Sequence, residues 1–326
     1  MIHSFFAKAV RLRQFNSMLQ LRSIQELSQV TGPVSLAIGV FDGVHLGHQE
    51  VIRAAEEHAA QHRGQAIVMS FDPHPLSVLR PEAMPKRLCS ERHREKLLKA
   101  MGVSGTLLCP FTLEVANTSA EDFVGSLVQA CNPLGCISVG YTWSFGKGRS
   151  GNIHSLMDLG QRHDFAVYGV PPIRIGGEVV SSTLIRDAVN GGDLVKASSL
   201  LGRPYSLFGR VVKGRQLARQ LGFPTANILP EAEVLPPYGV YVVQAEVDGC
   251  WQAGIANLGV RPTVEPGVAA PTLEVHLFDW QGELYGIELE VRLGAFLRAE
   301  QKFNSVEALK AQIQTDVQQA RLLLGR

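Results

Sequence analysis

The chain has 326 residues, of which 45% are hydrophobic and 19% are charged, and its formal charge at pH 7 is +1. This length predicts two domains, since single domains usually run to about 100–200 residues. The near-zero net charge argues against nonspecific binding to nucleic acid or to a membrane surface. Five cysteines without a CxxC pair argue against a disulfide framework or a zinc site and favour free, mostly buried thiols.

The N-terminal residues 1–17 are basic and precede the first plausible domain element at Met18. Their composition predicts a disordered extension outside the folded domains. No apolar run approaches the roughly 20 residues that a transmembrane helix needs. We therefore expect a cytoplasmic protein without a membrane partner.

The first half of the sequence alternates between apolar runs and segments of helical periodicity. Strand, helix and strand in repetition predict a parallel sheet covered by helices, in an α/β Rossmann-like domain spanning residues 18–197. The predicted strands are Val34–Phe41, Gly64–Phe71, Thr106–Cys109 and Cys136–Tyr141, and the predicted helices are Gln49–Arg63 and Ala120–Cys131, the second with a capping box at Thr118 and Glu121.

The second half, residues 198–326, has a different pattern. Apolar and polar residues alternate with period two from Tyr241 to Asp248 and from Ile287 to Leu293, which predicts an antiparallel β-barrel. A helix follows, with a capping box at Asn304 and Glu307. Its apolar stripe, which is expected to pack on the barrel, consists of Val306, Leu309, Ile313, Val317 and Ala320.

A glycine-rich segment with two histidines, Gly39–His48, joins the first predicted strand to the first predicted helix. In open parallel sheets, ligands bind at the carboxyl ends of the strands, and a helix N-terminus there offers unpaired backbone N–H groups to an anion. His45 and His48 are three residues apart and would share one face of a helical first turn. The segment therefore predicts a phosphate site, with capping or packing of the histidines as the structural alternative.

Four segments together resemble a known family. Gly39–His48 reads GVFDGVHLGH, which is similar to the HxGH signature of nucleotidyltransferases in the longer GxFDGxHxGH form of bacterial FAD synthetases. Phe71–Pro75 (FDPHP), Ser181–Arg186 (SSTLIR) and Leu200–Tyr205 (LLGRPY) resemble three further motifs of these enzymes. The chain is thus similar to the bacterial family of bifunctional riboflavin kinases and FMN adenylyltransferases.

The resemblance implies that the first domain joins FMN to the AMP part of ATP. The FMN phosphate is already a nucleophile, so catalysis is mainly positioning and charge stabilisation. His45, His48 and Arg186 would stabilise the developing charge. For Ser181–Arg186 and His74, helix capping and a proline-fixed turn stay as alternatives. The residues implied in binding ATP and its phosphates are Gly39, Phe41, Asp42, Gly43, Gly47, His74, Ser181, Ser182 and Thr183.

One position departs from the family pattern. After the fourth strand the family has Gly-x-Asp/Asn-Phe-x-Phe-Gly, whereas Gly140–Gly146 reads GYTWSFG. Thr142 stands where the family has a carboxylate or carboxamide, and threonine has less reach and no charge. Thr142 and Phe145 are the residues implied in flavin binding on this loop.

The second half contains no GxxxxGK[ST] segment, so a phosphate cradle of that type is excluded. Gly222–Asn227 reads GFPTAN and resembles the PTAN signature of riboflavin kinases. Thr225 and Asn227 can offer oxygens to Mg²⁺, which takes few protein ligands besides phosphate and water. The same resemblance implies ATP phosphate binding by Gly214 and Arg215 and flavin binding by Asn257 and Arg261.

Glu274 lies in a segment of alternating polarity. Leu273, Val275 and Leu277 would be buried in a strand, which turns Glu274 and His276 to the other face. A carboxylate on that face could accept the proton of the riboflavin 5′-hydroxyl. By resemblance Glu274 is the base, while His276 stays open between a supporting and a surface position.

The implied protein is a bifunctional enzyme with riboflavin, FMN and ATP as substrates and Mg²⁺ as cofactor, acting as a monomer or weak homo-oligomer without a nucleic-acid partner. Three alternatives remain open. One is a riboflavin kinase whose N-terminal domain is impaired or altered in its acceptor, as Thr142 suggests. The others are a non-catalytic flavin-binding regulator and a nucleotidyltransferase acting on another phosphate.

Overall fold

The computed structural model describes residues 18–213, 221–262 and 269–325, without the side chains at 261, 262 and 269. The predictions for residues 1–17, Gly214, Arg215 and the Arg261 side chain lie outside that part. The described chain forms two compact units, residues 18–86 with 94–181 and residues 87–93 with 182–325. The predicted division between 197 and 198 stays a prediction. No helix in these described ranges is long and apolar enough to cross a membrane.

The first unit is built on a six-stranded sheet whose strands are all parallel, in the order β1-β4-β3-β2-β5-β6. Its strands are β1 Leu19–Leu21, β2 Val34–Ile38, β3 Gln65–Asp72, β4 Gly105–Pro110, β5 Leu134–Gly140 and β6 Ala166–Val170, with a small hairpin of β7 Arg174–Ile175 and β8 Glu178–Val179. Its helices are α1 Leu46–Gln61, α2 Pro75–Leu79, α3 Glu91–Met101, α4 Leu113–Ala116, α5 Ala120–Ala130 and α6 Ile153–His163, and the first three residues of α3 group with the second unit.

The sequence explains why this sheet is buried on both faces. Every residue of β2, VSLAI, is buried, as expected of a parallel strand covered by helices on both sides. The buried face of α1 carries Val51, Ile52 and Ala55, which pack with Ala37 and Val68 of the sheet. These features confirm the predicted α/β architecture.

A polar pair is buried beneath α1. Ser35 Oγ and His58 Nδ1 form a hydrogen bond of 2.9 Å, and the His58 ring stacks on His62 with centroids 4.0 Å apart. Burial lowers the pKa of His58 below its usual value, and the nearby His62 lowers it further. His58 is therefore neutral in the folded state at pH values where the unfolded chain would begin to bind a proton.

We expect the first unit to lose stability as the pH falls below about 6.5, the ordinary pKa of histidine. Below this pH His58 binds a proton in the unfolded chain but stays neutral in the folded one, so acid favours unfolding. Above this pH His58 is neutral in both states, and its contribution to stability is fully present. Hydrogen exchange of residues 34–38 and 46–61, corrected for intrinsic rates, measures the effect. His58→Gln keeps a partner for Ser35 and does not titrate, so an equally steep pH dependence in this variant would contradict the assignment.

The second unit is a closed barrel of six antiparallel strands in the order β10-β13-β12-β11-β14-β9, which confirms the predicted barrel. Tyr241, Val243 and Ala245 are buried on one face of β11, whereas Val242 on its other face is covered by the C-terminal helix. The elements are α7 Ser182–Asn190, α8 Leu194–Leu201, β9 Ser206–Val212, β10 Ala226–Ile228, β11 Gly239–Val247, β12 Cys250–Pro262, β13 Ala269–Leu277, β14 Glu288–Ala299 and α9 Val306–Leu323.

The C-terminal helix α9 lies on the outer face of the barrel as predicted. Ala320 is fully buried there, with Ile313 and Val317 packed beside it. Val306, predicted to belong to the same stripe, is instead 49% exposed, because it is the first residue of the helix.

Both predicted capping boxes are wrong by one residue. Helix α5 is capped by Ser119, whose hydroxyl accepts from the backbone N–H of Asp122 at 3.0 Å. Thr118 lies just after α4 instead, and its hydroxyl donates to Glu114 O at 3.3 Å. Helix α9 is capped by Ser305, which places Glu307 at its second position, one too early for the box.

The segment 87–93 belongs to the barrel unit although it lies within the first half of the sequence. Glu233 receives hydrogen bonds from the backbone N–H and the Nε of Arg87, at 2.8 and 2.9 Å. Glu231 accepts from Ser90 Oγ at 2.6 Å. No sequence motif marks this segment, because Glu231 and Glu233 are far away from it along the chain.

The same segment ends in a buried polar cluster. Ser206 Oγ donates to Glu290 Oε1 at 2.8 Å and lies 3.3 Å from His93 Nε2, and all three residues are less than 5% exposed. His93 also stacks on Phe208 with ring centroids 5.4 Å apart. Since a buried carboxylate needs hydrogen bonds in place of water, this cluster ties the segment to strands β9 and β14.

Candidate active sites

The HxGH segment leaves the sheet at its topological switch point. Strand β2 pairs with β3 on one side and β5 on the other, so the loop after β2 opens into the crevice where such sheets bind ligands. Phe41 and Val44 have positive φ angles of 56° and 42°, and Gly43 has a φ of 79°. Positive φ is strained for a β-branched residue such as Val44, and such strain is typical of functional loops.

Both histidines of this loop lie at the start of α1. His45 is the N-cap, and its Nδ1 accepts a hydrogen bond of 3.2 Å from the backbone N–H of His48. The two rings are stacked, with centroids 3.5 Å apart, and the edge of His48 contacts Phe41. The sequence prediction that both residues share one face of the first turn is therefore confirmed.

The cap fixes the tautomer of His45. Because Nδ1 accepts a hydrogen bond, the proton of the neutral ring must be on Nε2, which makes Nε2–H a donor. Capping, the structural alternative, is thus realised by one ring nitrogen, Nδ1. A Cβ at Gly47 would lie 3.2 Å from His45 Cε1, a tight contact that glycine avoids.

The FDPHP segment begins with the last two residues of β3, the strand next to β2. His74 is the N-cap of α2, and its Nδ1 accepts from the backbone N–H of Leu76 at 3.0 Å, so its Nε2 also carries the proton. Ser70 Oγ donates to Val40 O at 3.1 Å and holds the end of β3 against the HxGH loop. The carboxyl ends of β3 and β2 therefore present two imidazoles in the same tautomer at one edge of the sheet.

The GYTWSFG segment follows β5, on the other side of β2. Thr142 is exposed, as a residue that meets a ligand must be. Phe145 is only 7% exposed and stacks on Trp143 with centroids 4.6 Å apart. Phe145 therefore packs into the core and supports the loop, while its predicted contact with flavin stays a prediction.

The Ser181–Arg186 segment opens α7, which begins at Ser182. Ile185 is fully buried and anchors the helix, whereas Thr183 is exposed and Arg186 is half-buried. A helix therefore starts within Ser181–Arg186, as the capping alternative requires. The roles of Ser181, Ser182, Thr183 and Arg186 in phosphate binding stay predictions.

In the barrel, three predicted site residues form one row. Glu274 on β13 is directly opposite Asn227 on β10 and Asn257 on β12. Directly paired residues of antiparallel strands share a face and have Cβ atoms about 4.5–5.5 Å apart. Leu273 and Val275, the two neighbours of Glu274 in β13, lie on the other face and are buried, which confirms the predicted alternation.

The sequence leaves the role of His276 open, and the structure shows that His276 contacts the PTAN segment. Its Nδ1 donates to Pro224 O at 3.0 Å, and its ring meets the edge of Phe223 with centroids 5.5 Å apart. A carbonyl only accepts, so Nδ1 must carry the proton. Burial lowers the pKa of His276, and the hydrogen bond to Pro224 opposes this shift. His276 therefore supports the segment that carries Thr225 and leads into β10 with Asn227.

Comparison with known proteins agrees with this geometry. The FAD synthetase family model matches residues 27–184, and the riboflavin kinase family model matches residues 201–324. A curated bifunctional riboflavin kinase/FMN adenylyltransferase from Pseudomonas fluorescens is 39% identical over 286 residues, covering 88% of this chain and 91% of the relative. This chain belongs to the bifunctional riboflavin kinase/FMN adenylyltransferase family.

Other similar proteins also match this chain over nearly its whole length. The Escherichia coli strain K12 protein of the same name is 38% identical over 310 residues, covering 94% of this chain and 97% of its own length. A crystal structure from Streptococcus pneumoniae has a TM-score of 0.75, is 29% identical and covers 92% of this chain and 97% of that one. It is described as a macrolide-efflux protein, a name at odds with both family models and with the curated relatives, and its likeness to this chain is one of fold.

The family matches divide the candidate sites between them. The FAD synthetase match contains the HxGH, FDPHP and GYTWSFG segments, and the riboflavin kinase match contains the row of Asn227, Glu274 and Asn257. Each match therefore carries its own set of polar residues.

Proposed function

We propose that this chain phosphorylates riboflavin to FMN in the barrel and joins FMN to AMP in the α/β unit, with ATP as substrate of both reactions and FAD as the final product. The observation that carries the proposal is that each family match falls on its own set of site residues, at the carboxyl edge of the parallel sheet and across β10, β13 and β12. A flavin-binding regulator without catalysis would have no need of a general base such as Glu274 between the two carboxamides.

In the adenylyl transfer, an oxygen of the FMN phosphate attacks the α-phosphorus of ATP, and pyrophosphate leaves. The chain has to hold two anions in line and to stabilise charge on the α-phosphate and the leaving group. The Nε2–H of His45 and the backbone at the N-terminus of α1 are proposed to donate to the phosphates, at a helix end where the dipole favours anions. His48 and His74 are proposed to complete this set.

In the kinase reaction, the 5′-oxygen of riboflavin attacks the γ-phosphorus of ATP, and ADP leaves. Glu274 is proposed to take the proton of this 5′-hydroxyl during the attack. A general base has to lie beside the group that it deprotonates, and the row places Glu274 between two carboxamides that can orient a polar substrate. Asn257 is proposed to bind the flavin.

The residues present fit a magnesium ion bound largely through phosphate. Asn227 lies opposite Glu274, and Thr225 is two residues before it, so we propose that these two residues offer one oxygen each. Mg²⁺ typically takes one or two protein ligands besides phosphates and water. No cluster of three or more His, Cys, Asp or Glu that could hold a metal occurs in the described ranges. When bound, the ion would neutralise charge on the ATP phosphates. The cytoplasmic location and the monomeric or weakly oligomeric state remain part of the proposal.

The proposal is tested by product analysis of the purified protein in two separate incubations with MgATP. Riboflavin is expected to give FMN, and added FMN is expected to give FAD and pyrophosphate. Formation of FMN without FAD would instead support a kinase whose first unit is impaired, and release of pyrophosphate only with another phosphate acceptor would indicate a different nucleotidyl transfer.

Thr142→Asn is expected to raise the rate of FAD formation from low concentrations of FMN. The carboxamide restores the group that the family has here, on an exposed loop position after β5. One added hydrogen bond contributes about 0.5–1.5 kcal/mol, which corresponds to a two- to tenfold lower KM for FMN or ATP. Thr142→Val is the matched control and should show no gain, and a Thr142→Asn enzyme no better than the control would contradict this role.

A further inference from the structure

Glu300 lies beside the row of Asn227, Glu274 and Asn257, although it follows β14 and is remote from the row in sequence. Asn257 Nδ2 donates a hydrogen bond of 2.8 Å to Glu300 Oε1. Residue Gly239, where β11 begins, is opposite both Leu258 and Ala299. Gly239 is the first residue of β11, which separates β14 from β12. Beyond this residue the strand no longer lies between them, so the chain after Ala299 can reach β12.

The contact depends on a glycine. Gly259 is two residues from Asn257 and therefore on the same face of β12. A Cβ built on Gly259 would overlap Glu300 Oε1 and would lie 2.5 Å from its Cδ and 2.7 Å from its Oε2. The Glu300 carboxylate thus occupies the space above the bare backbone of Gly259, and only a residue without a side chain leaves that space free.

We infer that Glu300 is a positioning residue of the kinase site, which fixes the orientation of the Asn257 carboxamide for riboflavin. This inference rests on the proposed kinase function. The carboxylate can only accept hydrogen bonds, so it draws the NH₂ group of Asn257 and turns the carbonyl oxygen Oδ1 away from itself.

Without Glu300 the Asn257 carboxamide could turn either its NH₂ group or its Oδ1 atom toward the substrate. With Glu300, Asn257 offers a fixed acceptor on the face that carries Glu274, directly across the strand pair. An acceptor suits the hydroxyl and ring N–H groups of riboflavin, whereas the phosphates of ATP present only acceptors at neutral pH. Glu300 should therefore affect the binding of riboflavin and leave the binding of ATP unchanged.

The test compares Glu300→Ala, Gly259→Ala and the double variant in the full-length protein. Each single variant is expected to raise the riboflavin KM about tenfold, the effect of one charge-assisted hydrogen bond. The ATP KM and the rate of FAD formation from added FMN should stay at wild-type values, and the kinase kcat should stay within about twofold. Gly259 is outside the left-handed region, so alanine fits its backbone and displaces only the flexible carboxylate.

The double variant should be no worse than either single variant, because the added methyl group has nothing to displace once Glu300 is truncated. A reversed pair gives a second test. Asn257→Asp alone places two carboxylates together and should impair riboflavin binding, whereas Asn257→Asp with Glu300→Gln restores a donor and an acceptor and should recover it.

An unchanged riboflavin KM in Glu300→Ala would overturn the inference, and so would additive effects of the two alanine substitutions. A fall in kcat and melting temperature with no change in riboflavin KM would show a purely structural role and would overturn it as well. These results are distinct from failure of the proposed function, which would appear as absence of riboflavin phosphorylation in the wild-type protein.

Discussion

Glu274→Gln is expected to lower kcat for riboflavin phosphorylation by about 10²–10⁴-fold, the usual contribution of a general base. Glutamine keeps the shape of the side chain opposite Asn227 and Asn257 but cannot accept a proton at neutral pH. The KM values for riboflavin and ATP should change little, because the loss falls on the transition state. Steady-state kinetics with both substrates varied measure the effect.

Glu283→Gln is the matched control for this experiment. Glu283 is an exposed glutamate of the same unit, and its substitution should leave the kinase unaffected. FAD formation from added FMN should persist in Glu274→Gln, because Glu274 lies outside the FAD synthetase match. A Glu274→Gln enzyme that retains more than about a tenth of wild-type kcat would contradict the role of Glu274 as base.

His45→Asn is expected to lower FAD formation by about 10²–10³-fold, the usual cost of removing one donor that stabilises charge in a transition state. Asparagine is a good N-cap residue and can still accept from the backbone at the start of α1, so the helix should hold. What the variant loses is the Nε2–H donor, which the shorter side chain cannot replace. The rate of FAD and pyrophosphate formation from FMN and MgATP measures the effect.

His163→Asn is the control for this variant, because His163 is exposed in the same unit. Kinase activity on riboflavin should be retained in both variants. If His45→Asn kept the wild-type rate of FAD formation, capping would be the whole function of His45, and the proposed phosphate contact would be wrong.

Features that depend on local periodicity could be predicted from the sequence. The helix predicted over Gln49–Arg63 is found at Leu46–Gln61, and the strand predicted over Gly64–Phe71 is found at Gln65–Asp72. In both cases an apolar pattern of fixed period decides which face is buried. The opposite faces of Leu273 and Glu274 follow from the same rule.

Choices between neighbouring residues could not be predicted. Thr118 and Ser119 are both suitable N-cap residues, and the sequence pattern favoured the first because Glu121 completes a capping box with it. The structure uses Ser119, whose hydroxyl accepts from the backbone N–H of Asp122, whereas the Thr118 hydroxyl donates to Glu114 at the end of the preceding helix. Which residue caps depends on where the preceding helix ends, and the pattern does not contain that information.

Contacts between distant segments were missed for a different reason. Glu300 reaches Asn257 across 43 residues of sequence, and Arg87 reaches Glu233 across 146. Neither pair has a local signature, because the partners meet only once the barrel has closed. His276 was recognisable as facing the site, but its hydrogen bond to Pro224 depends on the pairing of β10 with β13.

The most direct test of two separate sites is product analysis from riboflavin and MgATP with Glu274→Gln, His45→Asn and an equal mixture of the two. His45→Asn alone should stop at FMN, Glu274→Gln alone should leave riboflavin unchanged, and the mixture should make FAD because FMN released by one protein is used by the other. If either substitution abolished both activities, or if the mixture made FMN but no FAD, the account of two independently acting sites would be contradicted.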